Sequence, residues 1–357
     1  MNLIDLPDNP VPKGATCGVV ETPDRIKIRF AHWPASNEVR KGTVTVLQGR
    51  GEFIEKYFEV IEDLRRRGFS VVTFDWRGQG GSDRLTRSPR RGHVSSYAKY
   101  RLDLRTVLKS VSLATYPGPH FVLAHSTAAL IVLSDAERLR TMLDRAVLIA
   151  PLLGISPGAW GKEPGGIWRA ILQTVSLGLL GRPKLRAKAP KTSALVEKIG
   201  FPLARLLSLL GFGRLFVPGA RAYPQVSFET NRQTSDRTRF ERFQKVLEKA
   251  PELGIGGPTL GWLNASARAM LALRKRAAGP AIRLPCLVFG AGKDRIVSTP
   301  LIEDFVSRSK AAAYIEIPGA EHEILMERDE FRDQFWAAFD AFVPGQEVEQ
   351  ELERARS

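Results

Sequence analysis

The run Phe121-Val122-Leu123-Ala124-His125-Ser126-Thr127-Ala128-Ala129-Leu130 decides how this chain is read. An apolar stretch with the look of a buried strand leads to a serine, and an apolar helical pattern follows at once. Alanine stands two positions before the serine and two positions after it. Small residues are needed there because a larger side chain would crowd the neighbouring strand or helix. Such a turn holds its central residue at a strained backbone angle with the side chain exposed. Ser126 is therefore the candidate nucleophile.

Outward from this run, strands and helices alternate. Thr16 to Glu21 and Ile26 to His32 read as a leading hairpin, and Thr43 to Leu47 as a buried strand. Ile54 to Arg67 reads as a helix stopped by Gly68, Ser70 to Phe74 as a strand, and Ser95 to Tyr116 as a helix. His120 to Leu123 is the strand before the serine, Thr127 to Arg140 a helix, and Ala146 to Ala150 a strand closed by Pro151. The rhythm stops from about Leu152 to Gly279, where helical patterns are separated by Gly and Pro. It resumes with a strand at Pro285 to Phe289, a helix at Pro300 to Ser309, a strand at Ala313 to Ile317 and a helix at Arg328 to Phe342. The expected class is α/β, with a mostly parallel central sheet, helices on both faces and a helical cap insertion. The expected division is a core in two parts, 1–151 and 280–345, a cap at 152–279 and a polar tail at 346–357.

A serine hydroxyl becomes a useful nucleophile when an imidazole takes its proton, and the imidazole needs an acid to orient it. The chain has five histidines, and His322 stands in the loop after the last expected strand. Asp294 stands in the loop after the strand before that, so both side chains reach the carboxyl-terminal sheet edge where open α/β folds bind ligands. Asp75 and Asp103 are weaker candidates. An oxyanion needs two backbone N–H groups. Thr127, first in its helix, supplies one, and the glycine-rich turn Gln48-Gly49-Arg50-Gly51-Glu52 is placed to supply the other.

These motifs resemble the lysophospholipase and monoacylglycerol-lipase branch of the α/β-hydrolases, also labelled serine aminopeptidase S33-like. Leu47-Gln48-Gly49-Arg50-Gly51-Glu52 stands for H-G-x-G-E, and Asp75-Trp76-Arg77-Gly78-Gln79-Gly80-Gly81-Ser82 for D-x-R-G-x-G-x-S. Asn231 to Asp236 and Gly256 to Trp262 are similar to bacterial lysophospholipase L2 sequences, and the likeness runs over about residues 15–343. It implies a carboxylic-ester hydrolase with Ser126, Asp294 and His322 as catalytic residues and no cofactor or metal. It also implies that the Arg50 amide is the second oxyanion donor. Gln48 replaces the motif's histidine, Thr127 a frequent methionine, and Ala124, Ala128 and Ala129 the elbow glycines.

Composition bounds the rest. Two distant cysteines, Cys17 and Cys286, argue against a disulfide framework or a zinc site. No basic region followed by a long apolar run opens the chain, and no run of about eighteen uncharged apolar residues occurs, so a cytoplasmic protein is expected. The net charge of +15 is mostly scattered arginine. Arg182, Lys184, Arg186, Lys188 and Lys191 form one acid-free run without interleaved aromatics, which argues against a base-stacking platform and reads as a solvated loop or, second, as a peripheral contact with anionic membrane. Two apolar stretches, Ile167 to Leu180 and Phe201 to Phe212, suit a cap over an acyl chain and are too short to span a bilayer. The substrate class expected is an acylated lipid, a lysophospholipid or monoacylglycerol, with no nucleic-acid partner. A proline-iminopeptidase-like peptidase and a non-catalytic lipid-binding homologue remain open alternatives.

Overall fold

The computed structural model describes residues 2–157, 196–222 and 227–344. The basic run Arg182 to Lys191, the stretch Ile167 to Leu180 and the tail at 346–357 lie outside the described residues. Eight strands form one sheet: β1 (Thr16–Glu21), β2 (Lys27–Trp33), β3 (Gly42–Leu47), β4 (Phe69–Phe74), β5 (His120–His125), β6 (Arg145–Ile149), β7 (Cys286–Ala291) and β8 (Ala312–Ile317). Their order is β1-β2-β4-β3-β5-β6-β7-β8. β2 is antiparallel to both β1 and β4, and every other neighbouring pair is parallel.

Every residue of β3, β4, β5 and β7 is buried. That burial is why these strands read as continuous apolar runs instead of alternating ones, since helices cover both faces of a parallel sheet. The edge strands β1 and β8 keep exposed positions. The helix Phe58–Arg66 starts from a 3-10 turn at Ile54–Tyr57 and stops at Gly68, whose φ of 95° suits glycine. A methyl there would strike the Val39 carbonyl oxygen. Ser96 caps the helix Tyr97–Val107 by accepting from Ala98 N. The expected single helix from Ser95 to Tyr116 passes through a π-helical stretch at Leu108–Ser112, where Ser112 Oγ accepts from Thr45 Oγ1 at 3.2 Å.

Between β6 and β7 the described elements are helical, notably Phe201–Leu209, Arg237–Lys249 and Leu260–Leu273. The last packs against both the helix Thr127–Leu139 and Tyr97–Val107, and Phe201–Leu209 packs on it in turn. Glu59 ties three segments together, accepting from Arg239, Arg242 and Arg332. Leu206, Leu209, Leu210, Phe212 and Leu215 are exposed large apolar side chains of this region.

The chain runs from β3 outward to β4, then returns past β3 to place β5 on its other side. The loops leaving β3 and β5 therefore diverge and open a crevice at their carboxyl ends, the position where open α/β sheets bind ligands. The turn Gln48 to Glu52 and Ser126 stand at these two ends.

Candidate active site

Ser126 joins β5 to the helix Thr127–Leu139 at φ 53° and ψ −108°. A non-glycine residue in this region costs about 1–3 kcal/mol and persists only where its surroundings over-determine it. Here Ser126 N donates to Ile149 O at 2.8 Å, and Leu152 N donates to Ser126 O at 3.1 Å. Both backbone groups of the serine are thus fixed to the end of β6. Ala124, Ala128 and Ala129 are buried in the packed core around the turn. The turn forms with alanine at these positions.

His322 Nε2 lies 3.0 Å from Ser126 Oγ, and His322 Nδ1 lies 2.7 Å from Asp294 Oδ2. The other oxygen of Asp294 accepts from Ile296 N at 2.7 Å and Val297 N at 2.8 Å, which fixes the carboxylate in the loop after β7. An ionised Asp294 places the ring proton on Nδ1 and leaves the Nε2 lone pair facing the serine hydroxyl. Burial works against protonation of His322, but the Asp294 carboxylate, with Glu323 and Glu52 beyond it, holds its pKa above the ordinary value. The structure brings together Ser126, Asp294 and His322 in an arrangement that can move a proton from the serine to the imidazole.

Behind this line is a buried ionic cluster that the sequence did not signal as a unit. His125 lies with Nδ1 3.2 Å from Glu52 Oε2 and Nε2 3.3 Å from the His322 carbonyl oxygen. Glu52 also accepts from Tyr57 Oη at 2.7 Å, Lys56 Nζ at 3.0 Å and the Gly49 amide. Lys56 Nζ reaches Glu323 at 2.5 Å as well. Burial works to raise the Glu52 pKa, yet Lys56 and His125 hold it well below the ordinary carboxylate value. The cluster joins the turn after β3, the residue before the nucleophile and the His322 loop.

That turn is held from a second side. Gln79 Nε2 donates to Gly49 O at 2.9 Å and to Glu52 O at 3.0 Å, and its Oε1 accepts from Gly51 N at 3.2 Å. Trp76 Nε1 donates to Gln48 O at 2.8 Å, while the Gln48 side chain is buried against Thr73 Oγ1. Among the described residues, the Arg50 and Thr127 amides donate to no protein acceptor. These are the two amides that the sequence reading assigned to an oxyanion.

Asp75 and Asp103 serve other ends. Asp75 accepts from Arg29 Nε, Ile54 N and Gly81 N. Asp103 pairs with Arg77, which also reaches Asp24. Both hold turns around the site. Among the described residues no group of three His, Cys, Asp or Glu side chains is placed to hold a metal.

The sheet, the strained serine turn and the Ser-His-Asp line define an α/β-hydrolase. The chain belongs to the serine aminopeptidase S33 family, whose model matches residues 38–329, and within it to the lysophospholipase L2 branch. It is 29% identical over 319 residues to a probable lysophospholipase L2 from Haemophilus influenzae, covering 89% of this chain and 88% of that protein. It is 30% identical to lysophospholipase L2 from Escherichia coli over 87% of this chain and 82% of that one. In fold it is similar to a soluble variant of monoglyceride lipase from Saccharomyces cerevisiae, with a TM-score of 0.68 and 16% identity, over 93% of this chain and 97% of that structure. Family and fold together make it a carboxylic-ester hydrolase.

Proposed function

We propose that this protein releases the fatty acid of a monoacyl lipid, a lysophospholipid or monoacylglycerol, through an acyl-enzyme on Ser126. The Ser126 Oγ, His322 Nε2 and Asp294 Oδ2 line is the observation that carries the reading. Ser126 Oγ attacks the ester carbonyl carbon as His322 Nε2 takes its proton. The amides of Arg50 and Thr127 hold the oxyanion, and Asp294 stabilises the imidazolium. The carbon–oxygen bond to the glycerol breaks, and His322 protonates the departing oxygen. Water then attacks the acyl-enzyme, gives a proton to His322, and releases the fatty acid as Ser126 recovers its hydrogen.

The lysophospholipase L2 relatives support a lysophospholipid substrate, and in this reading the described helices between β6 and β7 cap its acyl chain. Exposed Leu206, Leu209, Leu210, Phe212 and Leu215, with exposed Arg205 and Arg214 beside them, suit contact of that cap with an anionic membrane surface. A fluorophosphonate probe tests the reading. Wild-type protein is expected to be labelled and Ser126→Ala to be silent, with loss of turnover on lysophospholipid and monoacylglycerol alike. A wild-type chain that takes no label and turns over neither lipid would leave a non-catalytic homologue.

A further inference from the structure

Arg50 has a side chain that the chemistry above does not use. Its guanidinium lies over the Trp262 ring at 5.0 Å, and Nη2 donates to Gly256 O at 2.8 Å. Its Nε is buried and has no hydrogen-bond partner. Among the described residues no carboxylate pairs with it. Trp262 Nε1 is likewise buried without a well-formed hydrogen bond, although the Tyr100 hydroxyl lies near it. Burial pulls the Arg50 pKa down to about 10, with only Tyr97 and Tyr100 opposing. A carbonyl and a ring face leave the charge uncompensated, and a buried unpaired charge is costly.

The place of this charge is as informative as its lack of a partner. Arg50 belongs to the turn after β3, which meets the end of β5 through Glu52 and His125, and neighbouring Tyr97 also interacts with the Thr127 side chain. Two further arginines reach the same stretch of backbone. Arg84 donates to Glu252 O, and Arg90 to the Pro251 and Gly254 carbonyl oxygens. Three arginines thus donate to backbone carbonyls along one stretch, Pro251 to Gly256. In a monoacyl glycerophospholipid the ester and the phosphate are separated only by the glycerol carbons, a span that one arginine side chain matches.

We propose that the Arg50 guanidinium binds the phosphate of the substrate headgroup, so that it selects phosphate-bearing monoacyl lipids over neutral monoacylglycerols. A guanidinium suits this because its planar fork meets two phosphate oxygens at once, and Nε is a free donor in that fork. The inference rests on the monoacyl-lipid reading above, and its test separates the two.

The experiment compares a lysophosphatidylcholine and a monoacylglycerol of the same acyl chain, on wild type, Arg50→Lys and Arg50→Gln. The expected result is that kcat/KM for the phospholipid falls about 10- to 100-fold more than for the monoacylglycerol in Arg50→Gln. Arg50→Lys, with charge but no fork, falls between. Equal losses on both lipids would mean that Arg50 only fastens the turn to Gly256, and would overturn the proposal. Binding to Ser126→Ala and to Ser126→Ala with Arg50→Gln, followed by tryptophan fluorescence, asks the same question without turnover. A wild type that hydrolyses neither lipid therefore sinks the enzyme reading, while this binding ratio still decides on Arg50. If Arg50→Gln does not fold, competition against wild type decides. Glycerol 3-phosphate is expected to inhibit hydrolysis of a short p-nitrophenyl ester where glycerol does not, and equal effects of the two would overturn the proposal. Inorganic phosphate in the same assay shows whether the phosphate alone suffices or the glycerol is needed with it.

Discussion

Lys56 Nζ lies 2.5 Å from Glu323 Oε1, so the residue after His322 is bound to the helix that begins after β3. Because Lys56 also meets Glu52 at 3.0 Å, one ammonium stands between two buried carboxylates. Removing it leaves two buried carboxylates facing each other without the ammonium between them. Lys56→Met is expected to lower the unfolding free energy by about 3–5 kcal/mol. Adding Glu323→Gln should return part of that loss, because one of the two stranded charges is then gone. Urea denaturation of the single and double variants measures both. A loss under about 1 kcal/mol in Lys56→Met would show that the carboxylates find another partner.

Asp294 sets the protonation of His322, and this makes the pH profile diagnostic. A protonated His322 cannot accept the Ser126 proton, so activity rises with pH as the imidazolium titrates. With the Asp294 carboxylate raising that pKa, the acidic limb of kcat/KM is expected above the ordinary imidazole value of about 6.5. In Asp294→Asn the limb moves to lower pH, and the rate falls about 10³- to 10⁴-fold. A profile that keeps its limb in this variant would assign the titration to another group.

The elbow alanines are open to a direct test. Ala128 is fully buried in the first turn of the helix after Ser126. Since the turn already forms around its methyl group, Ala128→Gly should leave turnover of a short ester within about twofold. The variant should lose about 1 kcal/mol of stability through helix propensity, read by thermal or chemical denaturation. A rate increase of about tenfold would instead mean that the methyl group misaligns the Thr127 amide.

Much of the architecture was legible because its signals are local. β3, β4, β5 and β7 are buried on both faces, so each shows as an apolar run between turn residues. The hydrogen-bonded line of Ser126, His322 and Asp294 was legible for a related reason. Asp294 and His322 each follow a strand directly, and parallel pairing of β7 with β8 brings those loop positions to one edge. The ionic cluster was not legible. Glu52 and Lys56 look like a helix-surface pair, and Glu323 like a loop charge, until tertiary packing brings partners 267 positions apart into contact. The Arg50 guanidinium was hidden in the same way. Its turn was read for backbone amides, and nothing local tells that Trp262 and Gly256 lie over the side chain. The π-helical stretch at Leu108–Ser112 also escaped, since its residues fit an ordinary helix pattern.

The strand order has a consequence for the chain as it is made. Synthesis runs from the amino terminus, so Ser126 and its strained turn emerge first. The helices between β6 and β7 emerge next, and Asp294 and His322 only with the last two strands. Until β8 pairs with β7, Ser126 lacks the His322 imidazole that the proposed mechanism uses as its base. On that mechanism the nascent protein stays chemically quiet toward lipids until the segment proposed to cover the acyl chain has been produced.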